Sequence, residues 1–393
     1  MLNSKLLEDN VQAFINAHLK ANIEDLALKG SPFLDIETPQ LLEQIQAKIK
    51  CAKKLPTWFH AQNIYYPSKI NIEQTSSEES ASYKSKLVEG HRLLDLTGGF
   101  GVDSFYFSKK IKSVTHCEID AKLSEIVQHN FKSLKVQNIA TVAQNGLSYL
   151  EQKEQHFDWI YIDPSRRDVQ KNKRFFIEDC TPNVAKYLEL FLSKSKNIMV
   201  KLSPMLDIQA ALDSLPQTKE IHVVAIKNEV KELLFILERG YTDEPTLKAV
   251  NLNTKQPDFE FKISTENNTK VSYSIPSEYL YEPNAAVLKA GAFKYVASKF
   301  DVKKLAKHTH LYTATKQIKG FPGKIYRIKQ VLPFHKKKLR PLLNGQKANV
   351  KTRNFAESIP QLKKEFNISD GGTIFFFFTK TEQKKWVLIC EKI

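Results

Sequence analysis

Residues 93–103 read Leu-Leu-Asp-Leu-Thr-Gly-Gly-Phe-Gly-Val-Asp, and this stretch decides the fold. An apolar run ends in an acid, a turn with three glycines among four residues follows, and the pattern then becomes helical. Glycine adopts a positive φ without steric cost and lets another group approach the backbone closely. The stretch therefore predicts a strand, a tight turn and a helix whose first N–H groups are open to a ligand.

The glycine spacing argues against a dinucleotide site, which uses G-x-G-x-x-G and places a pyrophosphate at the start of the helix. This chain has G-G-x-G followed by an acid. Asp95 and Asp103 would repel a pyrophosphate, but their carboxylates could accept hydrogen bonds from an ammonium group or from hydroxyls. The turn favours a ligand without phosphates.

Three more predicted strands bring polar residues to the same edge of a sheet. Strand 113–118 ends in Glu118, roughly 20 residues after the glycines, where doubly wound folds bind ribose hydroxyls. Strand 140–143 precedes Asn145, although an Asn-Gly turn needs no ligand to explain it. Strand 157–162 leads into Asp163. Because ligands of open α/β sheets bind at the carboxyl ends of the strands, these side chains are candidates for one site.

The pattern D-x-T-x-G-x-G-x-D at residues 95–103 resembles motif I of class I S-adenosylmethionine-dependent methyltransferases. It is similar to the corner of small-subunit rRNA guanine-N2 methyltransferases. A second resemblance covers most of the chain, and it is to a bacterial methyltransferase family with a C-terminal THUMP-like domain. The resemblance implies S-adenosylmethionine as cofactor, bound by Asp95, Thr97, Gly98, Gly99, Gly101, Asp103, Glu118 and Asn145.

The sequence Asp163-Pro164-Ser165-Arg166 resembles the D/N-P-P-aromatic motif of amino-group methyltransferases. The resemblance implies that these four residues form the catalytic segment, in which the acid and a backbone carbonyl hold an exocyclic NH₂. Two positions depart from the motif. Ser165 replaces the second proline, and Arg166 replaces an aromatic residue that would stack on a base, although arginine can also stack or bind phosphate.

Two residues after the motif bear on the substrate chemistry. Carbon-5 methylation of a pyrimidine needs a cysteine nucleophile close to the motif, and Cys180 lies 17 positions past Asp163, which disfavours that reaction. Lys201, at the end of a predicted strand, could approach a substrate phosphate or extend into solvent, and both interpretations stay open.

The net charge of +16 on 393 residues is unevenly distributed. Residues 284–393 carry 24 Lys and Arg but 6 Asp and Glu, so all of the excess positive charge lies there. Such asymmetry is typical of a module that binds a polyanion, and a solvated lysine-rich surface is the alternative. The predicted nucleic-acid contacts are Lys324, Arg327, Lys336, Lys337, Lys338, Arg340, Lys351 and Arg353.

Other features exclude several classes of protein. No apolar window has the length of a membrane span, and the N-terminus lacks the plan of a signal peptide, so we expect a cytoplasmic protein. Four widely spaced cysteines indicate neither a disulfide framework nor a zinc site, and no other metal site is indicated.

The predicted fold is α/β. A Rossmann-like class I methyltransferase domain with a seven-stranded mixed sheet follows an N-terminal helical lobe and precedes a small C-terminal α+β domain. The predicted domains are residues 1–64 (helical lobe), 65–240 (methyltransferase), 241–320 (connecting, ferredoxin-like) and 321–393 (basic, THUMP-like).

The predicted function is S-adenosylmethionine-dependent methyl transfer to RNA, either rRNA or tRNA, at a base amino nitrogen. One alternative is a methyltransferase for a substrate other than nucleic acid. Another is a non-catalytic RNA-binding protein with a relic cofactor fold. The oligomeric state is not predicted by these patterns.

Overall fold

The computed structural model describes residues 2–166 and 177–393, and for Arg166 it describes the backbone. The chain divides into two compact units, Met1–Lys219 with Leu234–Thr242 and Glu220–Leu233 with Asp243–Ile393. Residues 167–176, which directly follow the predicted catalytic segment, lie outside the described residues. Among the helices of the described residues, none combines the length and the apolar character needed to cross a bilayer.

The described residues contain sixteen α-helices, of which the first eleven belong to the first unit and the last five to the second. They are α1 (Asp9–Ala17), α2 (Ile23–Lys29), α3 (Thr38–Lys54), α4 (Pro56–His60), α5 (Lys69–Gln74), α6 (Glu78–Ser85), α7 (Val102–Phe107), α8 (Ala121–Ser133), α9 (Gly146–Glu151), α10 (Leu188–Lys194), α11 (Ile208–Ser214), α12 (Ile263–Asn268), α13 (Ala285–Ala290), α14 (Tyr295–Lys299), α15 (Lys336–Leu343) and α16 (Ile359–Phe366). Short 3₁₀ helices span Ser4–Leu7 and Ile177–Asp179.

The strands form two large sheets and one short ladder. They are β1 (Gly90–Asp95), β2 (Ile111–Cys117), β3 (Ile139–Val142), β4 (Phe157–Ile162), β5 (Ser165–Arg166), β6 (Cys180–Thr181), β7 (Ser195–Leu202), β8 (Thr218–Ile226), β9 (Glu229–Glu238), β10 (Thr246–Leu252), β11 (Phe259–Lys262), β12 (Tyr279–Pro283), β13 (Lys303–Ala306), β14 (Thr309–Ala314), β15 (Gly323–Pro333), β16 (Asn349–Arg353), β17 (Ile374–Lys380) and β18 (Lys385–Lys392).

The first sheet has nine strands within the described residues, in the order β11-β10-β8-β9-β7-β4-β1-β2-β3. The prediction of seven strands was therefore wrong. The sequence offers two weaker strand candidates, 247–252 and 259–263, as either a linker or an extension of the sheet. They extend the sheet, because β10 pairs in parallel with β8 and β11 pairs antiparallel with β10. The mixed α/β class is the predicted one.

Strands β1, β2, β3, β4 and β7 run in parallel, so their carboxyl ends lie along one edge. The apolar side chains of these strands pack together in the sheet core, with Leu93, Val114, Trp159 and Met199 all buried. Burial on both faces explains the continuous apolar runs 159–162 of β4 and 198–200 of β7. The polar residues that follow each strand are thereby presented at the same edge.

In the second unit, a sheet has the order β13-β14-β12-β15-β18-β17-β16. For residues 324–390 the sequence predicts the order strand, helix, strand, helix, strand, strand. The structure has β15, α15, β16, α16, β17 and β18 in that order. The run Phe375–Phe378 forms most of β17, an interior strand, and Phe376, Phe377 and Phe378 are buried. These rings are core and offer no stacking surface for a base.

The sequence predicts one helix over residues 285–299, with Asn284 as its cap rather than as a substrate contact. The structure has two helices there, α13 and α14. Gly291 ends α13 with a left-handed conformation at φ 84°, which is a common way for a helix to terminate. Asn284 caps α13, because its side chain accepts a hydrogen bond from the backbone N–H of Val287. The continuous helix was wrong, while the structural interpretation of Asn284 agrees with its contact.

Candidate functional site

Three strand ends are hydrogen-bonded to one another at the carboxyl edge of the first sheet. Gly99 N–H, in the turn after β1, donates to Glu118 Oε2 at 2.9 Å. Asp163 N–H, after β4, donates to Thr97 Oγ1 at 2.7 Å. The residues predicted from separate strands therefore form one cluster, with the glycine turn at its centre.

The three glycines of the turn have different surroundings. A Cβ at Gly98 would lie 2.2 Å from the imidazole of His116, which is fully buried beneath it. Gly101 has φ 78° and begins α7, and a Cβ there would lie 2.7 Å from the Phe131 ring. At Gly99, with φ 54°, the nearest atom to a Cβ would be 3.9 Å away. Gly98 and Gly101 are required by packing, whereas the space over Gly99 is open.

Glu118 has a partly buried side chain with both carboxylate oxygens at the edge. Oε2 accepts from Gly99, and Oε1 accepts from the backbone N–H of Asp120 at 2.8 Å. A carboxylate offers about four lone-pair sites, so this one can accept further hydrogen bonds from hydroxyls. Asp120 itself caps α8, as its side chain accepts from Lys122 and Leu123.

Asn145 is exposed and lies after β3. Its Oδ1 accepts from the backbone N–H groups of Leu147 and Ser148, so it is the N-cap of α9. A Cβ at Gly146 would lie 2.3 Å from Leu96 O, which explains that glycine by close packing. The Asn-Gly pair is thus accounted for without a ligand.

Asp95 is fully buried, and its carboxyl group holds the turn from within. Oδ1 accepts from Thr97 N–H and Oδ2 accepts from the Ser104 hydroxyl at 2.6 Å. Burial raises the pKa of Asp95 to about 7, and the nearby Asp103 and Asp163 carboxylates add to this shift. The contacts of Asp95 give it a structural role in the turn.

Asp103 is also buried, and the sequence did not indicate its partners. Lys84 Nζ forms an ion pair with Asp103 Oδ1 at 2.9 Å, and the Lys84 side chain is wholly buried. The hydroxyls of Ser76 and Tyr161 both donate to Oδ2 at 2.8 Å. Burial opposes ionisation of Asp103, but the charges of Lys84 and Lys201 lower its pKa below the ordinary value. This carboxylate is held by protein groups rather than presented at the edge.

The family resemblance also makes Gln74 and Ser77, before α6, weak site candidates, but it is Ser76 that contacts Asp103. Ser77 is the N-cap of α6, accepting from Ser80 N–H, and Gln74 is exposed at the end of α5. The polar sequence of α6 gives no sign that its lysine is buried, so Lys84 could not be found from the sequence.

Asp163 is paired with Lys201, whose Nζ donates to Asp163 Oδ2. Ile162 and Val200 are registered partners in β4 and β7, so Asp163 and Lys201 are the next residues of adjacent strands. The Asp163 side chain is 32% exposed and that of Lys201 is 16% exposed. The sequence suggested that Lys201 contacts a substrate phosphate or extends into solvent. The structure instead places Lys201 in an ion pair with Asp163.

The rest of the catalytic segment forms a short ladder. Ser165 pairs with Thr181 and Arg166 with Cys180 in the antiparallel pair β5–β6. Ser165 is exposed, Pro164 is partly buried, and the side chain of Arg166 lies outside the described residues. Cys180 is 17 positions from Asp163 in the sequence, but the β5–β6 ladder brings it next to the motif. The sequence separation is therefore not a valid argument that Cys180 is remote from the motif.

The predicted nucleic-acid contacts of the second unit divide into two groups. Lys351 and Arg353 both bind the buried carboxylate of Glu282, Lys351 through Nζ and Arg353 through Nη2 at 2.5 Å. Tyr326 also donates to Glu282, at 3.1 Å. These two cations are engaged in an internal cluster.

The second group lies on α15 and β15. Lys336 and Arg340 of α15 lie 3.5 and 3.6 Å from Glu365. The residues Lys337 and Lys338 are exposed and form no ion pair within the described part of the chain. On β15, Arg327 is exposed and Lys324 is partly buried.

The basic stripe of the N-terminal lobe is used internally. Lys48 is buried beside the rings of Phe59 and Tyr66. Lys50 pairs with Glu73 at 2.5 Å, and Lys54 donates to backbone carbonyls of α5. The basic residues 48–54 predict either a solvated helix face or a nucleic-acid contact, and these contacts explain Lys48, Lys50 and Lys54 without nucleic acid.

Comparisons with known proteins give a whole-length match. A proposed methyltransferase from Porphyromonas gingivalis W83, known as a crystal structure, is 30% identical to this chain. The match covers 100% of this chain and 99% of that chain, with a TM-score of 0.90. The two proteins therefore share one architecture from end to end.

Three family models match separate parts of the chain. Residues 76–221 match the model described as conserved hypothetical protein 95. Residues 279–322 match a ferredoxin-like domain, and residues 323–392 match a THUMP domain-like model. The predicted domain boundaries themselves stay predictions.

Two curated relatives match part of this chain over part of their own length. An uncharacterised RNA methyltransferase of Mycoplasma mobile is 26% identical over 142 residues, which are 36% of this chain and 39% of that protein. A tRNA (uracil(54)-C(5))-methyltransferase of Pyrococcus horikoshii is 27% identical over 165 residues, 41% of this chain and 40% of that protein. The match thus spans about two fifths of each relative. Together with the whole-length match, these findings show that the chain belongs to the family of S-adenosylmethionine-dependent methyltransferases that carry a C-terminal THUMP-like domain.

Proposed function

We propose that the protein transfers a methyl group from S-adenosylmethionine to rRNA or tRNA, and that the acceptor is the amino nitrogen of a base. The observation that carries the proposal is the hydrogen-bonded cluster of strand ends, Gly99 to Glu118 and Asp163 to Thr97. Ligands of open α/β sheets bind at this edge. The relatives named as RNA methyltransferases support RNA as the substrate class.

The residues of the β1 turn fit S-adenosylmethionine. The open space over Gly99 admits a ligand close to the backbone, and Glu118 retains lone pairs for two ribose hydroxyls. Ile119 is 71% exposed directly beside Glu118 and offers an apolar surface to a purine ring. We assign the cofactor contact to these residues and to Asn145. In this proposal, Asp95 and Asp103 stabilise the turn.

Asp163 is the proposed acceptor-binding residue. When bound, S-adenosylmethionine supplies an electrophilic methyl group on a sulfonium centre. Asp163 Oδ1 would accept one N–H of the base amine, and the backbone carbonyl of Pro164 would accept the other. As the N–C bond forms and the S–C bond breaks, the amine releases one proton, which Asp163 can pass to water. Orientation of the amine supplies most of the rate enhancement, since a strong base is unnecessary.

The basic residues of the second unit are the proposed RNA contacts. Lysine and arginine contacts to phosphates supply affinity and position without reading the base sequence. Because Lys351 and Arg353 are bound to Glu282, we expect the larger share of the affinity from the exposed cations. These are Arg327, Lys336, Lys337, Lys338 and Arg340, and the partly buried Lys324 is the remaining proposed contact.

The test is tritium-methyl labelling of bulk rRNA and tRNA from cells that lack the gene. Wild-type protein should label RNA, and Asp163→Ala should abolish turnover while leaving the affinity for S-adenosylhomocysteine within about threefold. Calorimetry and a melting curve on the same samples are the control. If Asp163→Ala instead loses its fold or its cofactor affinity, the proposed role of Asp163 is wrong.

Cys180→Ala separates the two acceptor chemistries. Methylation of an amino nitrogen needs no covalent bond to the enzyme, so this variant should keep the wild-type rate within about twofold. Labelling should be measured as for Asp163→Ala. Complete loss of turnover in a folded Cys180→Ala protein would indicate carbon-5 chemistry and would contradict the amino-nitrogen assignment.

Binding of S-adenosylhomocysteine, together with RNA affinity measured at several salt concentrations, tests the two alternative functions. A methyltransferase for another substrate would bind S-adenosylhomocysteine but show no salt-dependent affinity for RNA. A non-catalytic RNA-binding protein would bind RNA and fail to bind the cofactor product.

A further inference from the structure

We propose that Lys201 is a positioning residue for methyl transfer: its ammonium group holds one carboxylate oxygen of Asp163, so that the other oxygen faces the acceptor. The inference rests on the proposed function and adds a residue to it. Neither motif resemblance assigns a role to Lys201.

The first step is the register of two adjacent parallel strands. Ile162 of β4 is the registered partner of Val200 in β7. Asp163 and Lys201 follow them, and residues at equivalent positions of neighbouring strands project to the same side of a sheet. Lys201 Nζ consequently reaches Asp163 Oδ2 across the strand ends.

The second step is the state of the two carboxylate oxygens. The backbone of Asp163 is fixed because its N–H donates to Thr97 Oγ1, and Oδ2 is fixed by Lys201. No group of the described residues donates a hydrogen bond to Oδ1 of Asp163. With the side chain 32% exposed, Oδ1 is the oxygen left for a ligand. A single fixed acceptor atom is what orientation of an amine requires.

The third step is that Lys201 itself is held in place. Its charge lowers the pKa of Asp103, against the effect of burial and together with the charge of Lys84. Lys201 therefore lies in the field of two carboxylates, Asp163 at the edge and Asp103 beneath it. A lysine held between two acids has less freedom to leave Asp163 for a substrate phosphate.

The test is a double-mutant cycle of Lys201→Met and Asp163→Asn, with RNA labelling by tritiated S-adenosylmethionine. If Lys201 acts through Asp163, Lys201→Met should lower kcat by about 10- to 100-fold with the KM for RNA changed less than about threefold. The double variant should be no slower than Asp163→Asn alone, since the effects of two groups that act as a unit are not additive. Lys201→Arg should recover most of the rate, because a guanidinium can bind the same oxygen.

Additive effects in the cycle would overturn the inference, because Lys201 would then act independently of Asp163. A raised KM for RNA, with the slope of log affinity against log salt reduced by about 1, would show a phosphate contact and would also overturn it. Loss of affinity for S-adenosylhomocysteine or a lowered melting temperature in Lys201→Met would assign a structural role instead.

Lys196→Met is the matched control. Lys196 lies on the same strand, its side chain is 64% exposed, and it is 3.6 Å from Glu238. This variant should leave kcat unchanged. Failure of the proposed function is distinguished from failure of the inference by the wild-type protein: without transfer by the wild type both fail, whereas transfer with an additive cycle overturns the inference alone.

Discussion

Gly98 and Gly99 are neighbours in the β1 turn, but a methyl group added to each would have a different effect. At Gly98 it would lie 2.2 Å from the buried imidazole of His116, and at Gly99 it would enter open space. Gly98→Ala should lower the free energy of unfolding by about 1–3 kcal/mol through overpacking. Gly99→Ala adopts an unfavourable φ at a cost of about 1–2 kcal/mol and should still fold.

The two variants should be compared by melting and by calorimetry with S-adenosylhomocysteine. Gly99→Ala should bind it more weakly because the methyl group occupies the ligand's space. Wild-type affinity in Gly99→Ala would contradict the placement of the cofactor over this glycine.

Asp95 gives a pH dependence with a defined sign. Its pKa is raised to about 7 by burial, from the ordinary value of 3.8, so folded Asp95 keeps its proton in a range where the unfolded chain has released it. The folded state binds the extra proton, and its stability therefore decreases as the pH rises from 3.8 toward about 7, by up to about 1.4 kcal/mol per pH unit.

Asp95→Asn removes this contribution, since an amide resembles the protonated acid in shape and cannot ionise. Urea unfolding across this pH range should show wild-type stability falling relative to Asp95→Asn. Parallel curves for the two proteins would contradict the shifted pKa.

At the scale of helices and strands, local patterns were sufficient where one segment determines its own structure. The sequence predicts a strand over 157–162 and helices over 336–343 and 359–366, and β4, α15 and α16 have these bounds because the residues that define them are close together in the sequence. The break at Gly291 was missed because the apolar pattern continues across it. The sequence left open whether the two extra strands extend the sheet, because polar sequence surrounds them. The pairing of β10 with β8 depends on contacts between distant residues.

Contacts between distant helices and strands also determine which cations are available to bind RNA. Lys351 of β16 binds Glu282 of β12, 69 residues away in the chain, and no local pattern reveals such a pair. The same reason hid the pair between Lys84 and Asp103. The sequence therefore predicted the strand-end cluster around Gly99, Glu118 and Asp163, but not the lysines that hold its acids.

Lys351→Met and Lys337→Met form a matched pair for this distinction. Lys351→Met leaves the buried Glu282 with one cation fewer and should lower the free energy of unfolding by about 1–3 kcal/mol. Lys337→Met should leave stability unchanged, weaken RNA binding and reduce the salt slope by about 1. Urea unfolding and RNA titration at several salt concentrations measure both effects, and the opposite assignment of effects would contradict the two groups of cations.

At the scale of the whole molecule, charge and chemistry are divided along the chain. The strand ends that carry the proposed cofactor and acceptor residues belong to the first unit, while the excess positive charge lies in residues 284–393. Charge asymmetry was readable from composition alone, because it depends on residue counts rather than on contacts. Phosphate binding by one unit and methyl transfer by the other would together make an RNA-modifying enzyme.

Binding of the cofactor product is the most direct test of this account. Calorimetric titration of the purified protein with S-adenosylhomocysteine should show one site with affinity in the micromolar range, weakened by Gly99→Val and by Glu118→Ala while both variants remain folded. An absence of binding at millimolar ligand would contradict the account and would leave the non-catalytic RNA-binding alternative.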